Sequence, residues 1–196
     1  VKNSFGKEYP IIIGNEKIFE TEKIKSLNPA NPSEVVGITQ QTSREMAQKA
    51  LDVASKTFDS WKKVPAEERA SFIFKAADLI RERKFEFSAV LVYEVGKNWA
   101  EADGDVAEAI DFLEFYGREM LRYSSEQPIV KIPGEDNKLV YIPLGVGAVI
   151  PPWNFPLAIL AGMSTAAIVT GNTVVLKPSS DSTVVAAKFV ELMEEV

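Results

Sequence analysis

The spacing of apolar residues changes character along the chain. Over the first 40 residues it is short and alternating. Tyr9-Pro-Ile-Ile-Ile13, Lys17-Ile-Phe19, Lys23-Ile-Lys25 and Glu34 to Thr39 read as strands, broken by Gly14-Asn15 and by the turn cluster Asn28-Pro-Ala-Asn-Pro32. The period then lengthens to 3.6. Ser43 reads as an N-cap, and Ala47, Leu51, Ala54, Phe58 and Trp61 follow on one helical face. Pro65 with Glu67 and Glu68 opens a second helix, where acidic groups suit the positive end of the helix dipole. Its stripe is Ala70, Ile73, Ala77 and Ile80. Phe85 to Val95 makes a third helix, ended by Gly96. A fourth runs from about Ala100 to Tyr123, with Val106, Ile110, Leu113, Gly117 and Met120 on one face.

Beyond the helices, Ile129 to Ile132 and Lys138 to Ile142 read as two strands, with Pro133-Gly-Glu-Asp-Asn137 as a hairpin loop. The last segment alternates element types: strand Val146–Ile150, helix Leu157–Thr170 with Gly171-Asn172 after it, strand Thr173–Lys177, then a helix from Asp181. Two nearly continuous apolar strands joined through a helix predict an α/β fold with a parallel sheet covered on both faces. There is no internal repeat. A doubly wound sheet with so few parallel strands is incomplete, and the final helix carries no C-cap signal. The expectation is therefore a fragment of a longer protein.

Composition narrows the chemistry. The chain has 22 Lys+Arg against 28 Asp+Glu, a net charge of −6, with no His and no Cys. An acidic balance offers no field for nucleic acid or an anionic membrane. Without Cys there is no thiolate nucleophile, disulfide or Cys-type zinc site, and without His the commonest general base and metal ligand is missing; no metal site is expected. Carboxylates, Lys, hydroxyls and amides remain. Val1-Lys2-Asn3-Ser4 has no apolar leader. The uncharged stretch Leu139–Leu176 is cut by Pro143, Pro151, Pro152 and Pro156, so a buried α/β segment is expected there and not a membrane span. Together these point to a cytoplasmic location.

Four features could carry chemistry. Gly145-Val-Gly147 precedes its strand, whereas a dinucleotide fingerprint follows one, so it reads as a turn into the strand. Pro151-Pro-Trp-Asn-Phe-Pro156 lies where open α/β sheets bind ligands, beyond a strand's carboxyl end. There Asn154 is either an oxyanion donor or the cap of the following helix. Lys177-Pro-Ser-Ser180 ends the next strand at the same rim; Lys177 either bonds ribose or phosphate or is simply solvated. The acidic helix holds Glu101, Asp103, Asp105, Glu108, Asp111, Glu114 and Glu119, mostly as a solvated face. Glu108 points away from the Val106/Ile110/Leu113 stripe, beside Phe112 and Phe115, and is either a pocket-lining carboxylate or exposed.

The stretches Gly145-Val-Gly-Ala-Val-Ile-Pro-Pro-Trp-Asn-Phe-Pro-Leu157 and Gly171-Asn-Thr-Val-Val-Leu-Lys-Pro-Ser179 resemble the NAD(P)-dependent aldehyde dehydrogenase superfamily. Tyr93-Glu-Val-Gly-Lys97 and Glu101 to Arg118 narrow the likeness to its L-glutamate γ-semialdehyde (1-pyrroline-5-carboxylate) dehydrogenases. The resemblance implies an aldehyde dehydrogenase-like fold with an incomplete Rossmann-like parallel sheet, N-terminal helices and an oligomerisation hairpin. Residues 1–128 would be N-terminal strands and helices of the cofactor domain, 129–142 the hairpin that joins subunits of a homo-oligomer, and 143–196 the first βαβα part of the NAD-binding sheet. The catalytic domain, with the nucleophilic Cys and the base Glu, would lie beyond residue 196.

By the same resemblance, Asn154 is the oxyanion donor and Lys177 holds the adenosine ribose. Ile150, Pro151, Pro152, Trp153, Ser179 and Ser180 line the cofactor cleft, and Glu108 and Phe155 border the aldehyde pocket. NAD is the favoured cofactor. Ser180 stands where many NAD-preferring members carry Glu, which leaves NADP open. The implied reaction converts L-glutamate γ-semialdehyde to L-glutamate in proline and arginine breakdown. Two other readings stay open: oxidation of a different semialdehyde, and a truncated module that only binds nucleotide or oligomerises.

Overall fold

The computed structural model describes residues 1–196. After a single 3-10 turn at Lys2–Ser4, β1 (Ile11–Ile13) and β2 (Glu16–Ile18) pair antiparallel, Ile11 opposite Ile18. Gly14 turns between them at φ +59°, a left-handed value that suits glycine. A second antiparallel pair, β3 (Lys23–Asn28) and β4 (Asn31–Gln40), runs with a register shift at Ser26/Leu27. Four helices follow: α1 (Arg44–Trp61), α2 (Ala66–Glu82), α3 (Lys84–Val95) and α4 (Trp99–Ser124). Ser43 caps α1 by accepting the Met46 amide at 3.2 Å, and Gly96 ends α3 at φ +70°. The last part is β5 (Val146–Val149), α5 (Ala158–Val169), β6 (Thr173–Leu176) and α6 (Thr183–Met193). β5 and β6 are parallel and in register, Val146 opposite Thr173 and Val149 opposite Leu176.

The 3.6-residue stripes build the core. Ala70, Ile73, Ala77 and Ile80 of α2 are fully buried, as are Val106, Ala109 and Leu113 of α4. They join Leu160 and Ala161 of α5 and Val185 and Phe189 of α6 in one cluster, so residues 1–128 and 143–196 share a single core. Two glycines set how closely the helices approach. A Cβ on Gly162 of α5 would stand 2.9 Å from the Phe112 ring of α4, and one on Gly117 of α4 would meet the Phe74 ring of α2 at 2.5 Å. Each would overpack a dense interior, at a cost of about 1–3 kcal/mol.

Three expectations need correction. Residues 129–142 form no strand pair. Glu135 N–H donates to the Ile132 carbonyl in a turn at Gly134 (φ +83°), but the two arms share no ladder. An isolated two-stranded hairpin is marginal in water, and here nearly every side chain faces solvent, Val130 and Ile142 among them. The α1 stripe is only partly covered: Ala54 is buried, Phe58 and Trp61 half-buried, Ala47 and Leu51 exposed. This helix lies at the periphery, with its Ala54 carbonyl accepting the Thr173 hydroxyl of β6 at 2.8 Å. The parallel strands are not covered on both faces either. All of β6 is half-buried and Ala148 is exposed, since two strands offer little sheet for helices to close over.

Candidate functional site at the strand rim

The sheet register brings the two candidate loops together. The Lys177 amide donates to the Val149 carbonyl at 2.9 Å, one step past the last paired residues, so Ile150 and Lys177 leave the sheet beside each other. Pro151 is buried; Ile150, Pro152 and Trp153 are exposed. Lys177 is exposed and its ammonium bonds only to the neighbouring Pro178 carbonyl, at 2.9 Å. The Ser179 hydroxyl accepts the Asp181 amide at 3.3 Å, and Ser180 is open to solvent. Gly145 (φ +135°) turns the chain into β5, where Asn172 Oδ1 accepts the Leu144 and Gly145 amides at 2.6 and 3.0 Å.

Beside this rim is a cleft of about 480 Å³ between α4 and the Pro151–Leu157 loop. Glu101, Gly104, Asp105 and Glu108 line one wall because spacings of three and four residues share a helix face. Lys97, Asn154 and Phe155 complete it. Asn154, Phe155 and Glu108 therefore meet in one cavity, while Ile150, Trp153, Lys177, Ser179 and Ser180 belong to the adjoining rim. Glu108 is exposed within this cleft, and Phe112 beside it packs on Gly162.

Asn154 does not cap α5. Its carboxamide is exposed and bonds to no other group in the chain, and Asp105 takes the capping role from α4, Oδ1 accepting the Ala158 amide at 2.7 Å. Asp105 is 1% exposed, against the expectation of a solvated acidic face. Its second oxygen lies 2.9 Å from the Lys97 ammonium, which also sits 4.2 Å from the centre of the Phe155 ring. The sequence carried a trace of this burial: Asp105 falls three residues after Ala102 and four before Ala109, in phase with the buried stripe. A carboxylate at that phase needs a partner, because burying an unpaired charge is costly.

The same device recurs at α6. Glu94 of α3, 4% exposed, accepts the Val184 and Val185 amides at 2.6 and 2.8 Å and the Ser26 hydroxyl at 2.9 Å. Burial pushes its carboxyl up to about 7, while those three hydrogen bonds pull the other way. At the other end of α5, Arg69 donates to the carbonyls of Val169 (2.8 Å) and Val64, and Trp61 Nε1 to that of Ile168 at 2.9 Å. Burial holds the Arg69 guanidinium below its usual pKa. Negative charge at the start of α5 and positive charge at its end both suit the helix dipole.

A model of the aldehyde dehydrogenase family matches residues 18–196. The chain belongs to the aldehyde dehydrogenase family. It is 56% identical over 195 residues to the 1-pyrroline-5-carboxylate dehydrogenase of Bacillus cytotoxicus, covering 100% of this chain and 38% of that enzyme. Among solved structures, 1-pyrroline-5-carboxylate dehydrogenase from Thermus with bound NAD matches at TM-score 0.94 and 50% identity, over 99% of this chain and 38% of that one. Proline utilization A from Bdellovibrio bacteriovorus matches at TM-score 0.96 and 43% identity, over 99% of this chain and 20% of that one. The chain thus spans 38% of the length of the curated relatives it matches. No helix is long and apolar enough to cross a membrane.

For an aldehyde dehydrogenase chain, the rim suits the nucleoside end of a dinucleotide. Ile150 and Trp153 present apolar surface, and Lys177 presents an ammonium whose single bond is to its own neighbour. It offers no ordinary phosphate cradle. A helix N-terminus can hold phosphate, but here the Ala158 amide of α5 and the Val184 and Val185 amides of α6 already face buried carboxylates.

Proposed function

We propose that the chain forms the cofactor rim and oxyanion site of an enzyme that oxidises L-glutamate γ-semialdehyde to L-glutamate with NAD, in proline and arginine breakdown. The observation that carries this reading is the unpartnered Asn154 carboxamide, held in one cleft with Glu108 and Phe155 next to the strand rim. Relatives that bear the name 1-pyrroline-5-carboxylate dehydrogenase support it. The side-chain N–H of Asn154 donates to the aldehyde oxygen as attack makes it negative. A donor of this kind supplies about 2.7–4 kcal/mol of transition-state stabilisation. Glu108 and Phe155 border the aldehyde pocket, the ring packing against the substrate's carbon chain.

Lys177 donates to the hydroxyls of the adenosine ribose. Ile150, Pro151, Pro152, Trp153, Ser179 and Ser180 line the cleft around it, and Ser180 brings no carboxylate to turn away NADP. NAD, when bound, supplies the hydride acceptor. With no cysteine in the chain, the attacking thiolate and the base that activates water come from elsewhere in the enzyme. The exposed apolar side chains of residues 129–142, Val130, Val140 and Ile142 among them, join subunits of a cytoplasmic homo-oligomer.

The test is Asn154→Ala in the enzyme that carries this chain. kcat falls roughly 10²–10³-fold with NAD affinity retained; an unchanged kcat rejects the oxyanion role. A preference for succinate semialdehyde over glutamate γ-semialdehyde would reject the substrate assignment.

A further inference from the structure

The Asn154 carboxamide is aimed without any hydrogen bond of its own, so something else must hold the loop that carries it. Proline at 151, 152 and 156 stiffens that loop and also removes three of its amide donors. The Ala158 amide, at the first turn of α5, is the donor through which the loop's end is tied to α4, at 2.7 Å from Asp105 Oδ1. The residue next to Asn154 is held from the same place: the Lys97 ammonium lies 4.2 Å from the Phe155 ring centre and 2.9 Å from Asp105 Oδ2. Lys97 and Asp105 are 11% and 0% exposed at their side chains, so this pair is shielded from water.

We propose that Asp105, held by Lys97, is the positioning residue of the oxyanion site. It fixes the start of α5, and Lys97 fixes Phe155, so that the carboxamide between them stands still when charge develops. The pair's own contacts run to the Ala158 amide and the Phe155 ring. It acts by keeping the donor where the negative charge forms, and a displacement of 1 Å can cost about 10²-fold in rate. The inference rests on the oxyanion reading of Asn154.

A double-mutant cycle in the enzyme that carries this chain separates positioning from mere stability. Asp105→Ala lowers kcat at least about tenfold when Asn154 is present and less than about twofold in the Asn154→Ala background, with the dissociation constant for NAD unchanged in all four enzymes. Asp105→Asn keeps an acceptor for the Ala158 amide; it restores folding where the alanine variant fails, and it follows the same non-additive pattern with a smaller loss. Equal losses in both backgrounds overturn the positioning role and leave Asn154 as the oxyanion donor. An Asn154→Ala enzyme with unaltered kcat overturns the oxyanion reading, and this proposal with it.

Discussion

Helices α5 and α6 occupy equivalent places, each following one of the two parallel strands, and neither has a side-chain cap from its own N-cap residue. Both borrow a buried carboxylate from the helical layer, Asp105 for α5 and Glu94 for α6. The difference is in what balances the charge. Asp105 has the Lys97 ammonium at 2.9 Å. Glu94 has only two amides and a hydroxyl, and burial pushes it up to about 7. The C-terminal ends differ too. α5 ends on the buried Arg69, whereas the residues after α6 are held by surface pairs such as Arg83–Glu195 at 2.5 Å. A helix end tied by buried, hydrogen-bonded charge depends on each partner; an end tied at the surface does not.

The largest effect tests the buried end of α5. Arg69→Met keeps most of the side-chain volume but strands the carbonyls of Val169 and Val64. In denaturant titration it should cost about 3 kcal/mol, the scale of lost charged hydrogen bonds with acceptors left unpaired. A loss below about 1 kcal/mol would show that water replaces the guanidinium, and the contrast with α6 would fail.

The next sharpens the contrast between the carboxylates. A carboxyl whose folded pKa lies near 7, above its ordinary 4.5, binds its proton more tightly in the folded state. Its stabilising contribution is complete below about 4.5 and is lost as pH rises through 7. The wild-type chain should therefore lose stability relative to Glu94→Gln between pH 5 and 7.5, in parallel melting curves. A pH-independent difference would mean that the amides of α6 keep Glu94 ionised throughout. The smallest effect is at the surface: Arg83→Ala should move Tm by no more than about 2 °C. A larger drop would place the Arg83–Glu195 pair among the tertiary anchors.

Periodicity made much of the fold legible. The α2 stripe of Ala70, Ile73, Ala77 and Ile80 is wholly buried, and the β5–α5–β6 order follows from apolar runs joined by a helix. The rim loops were legible because Pro151 to Pro156 and Lys177 to Ser180 end strands that must pair. The trans caps were not, since Asp105 binds an amide 53 residues away and Glu94 one 90 away. A trace was present. Glu94 is in phase with the buried Phe87, Val90 and Leu91, as Asp105 is with Ala102 and Ala109. The hairpin over 129–142 was misread because alternation states what a strand would bury, not whether a partner is there to pair with it.

Outside residues 129–142, sequence alone settled which segments are helix and which are strand, to within a few residues at their ends, and that an asparagine among prolines lies beyond a strand's carboxyl end. Those properties arise from backbone bonds and side-chain spacing within a few residues. Only the tertiary structure decided which acids among the many on α3 and α4 leave water, and that one of them, with Lys97, grips the loop carrying Asn154. Burying a charge is costly unless a partner meets it, and that partner comes from a distant part of the chain that folding alone brings near.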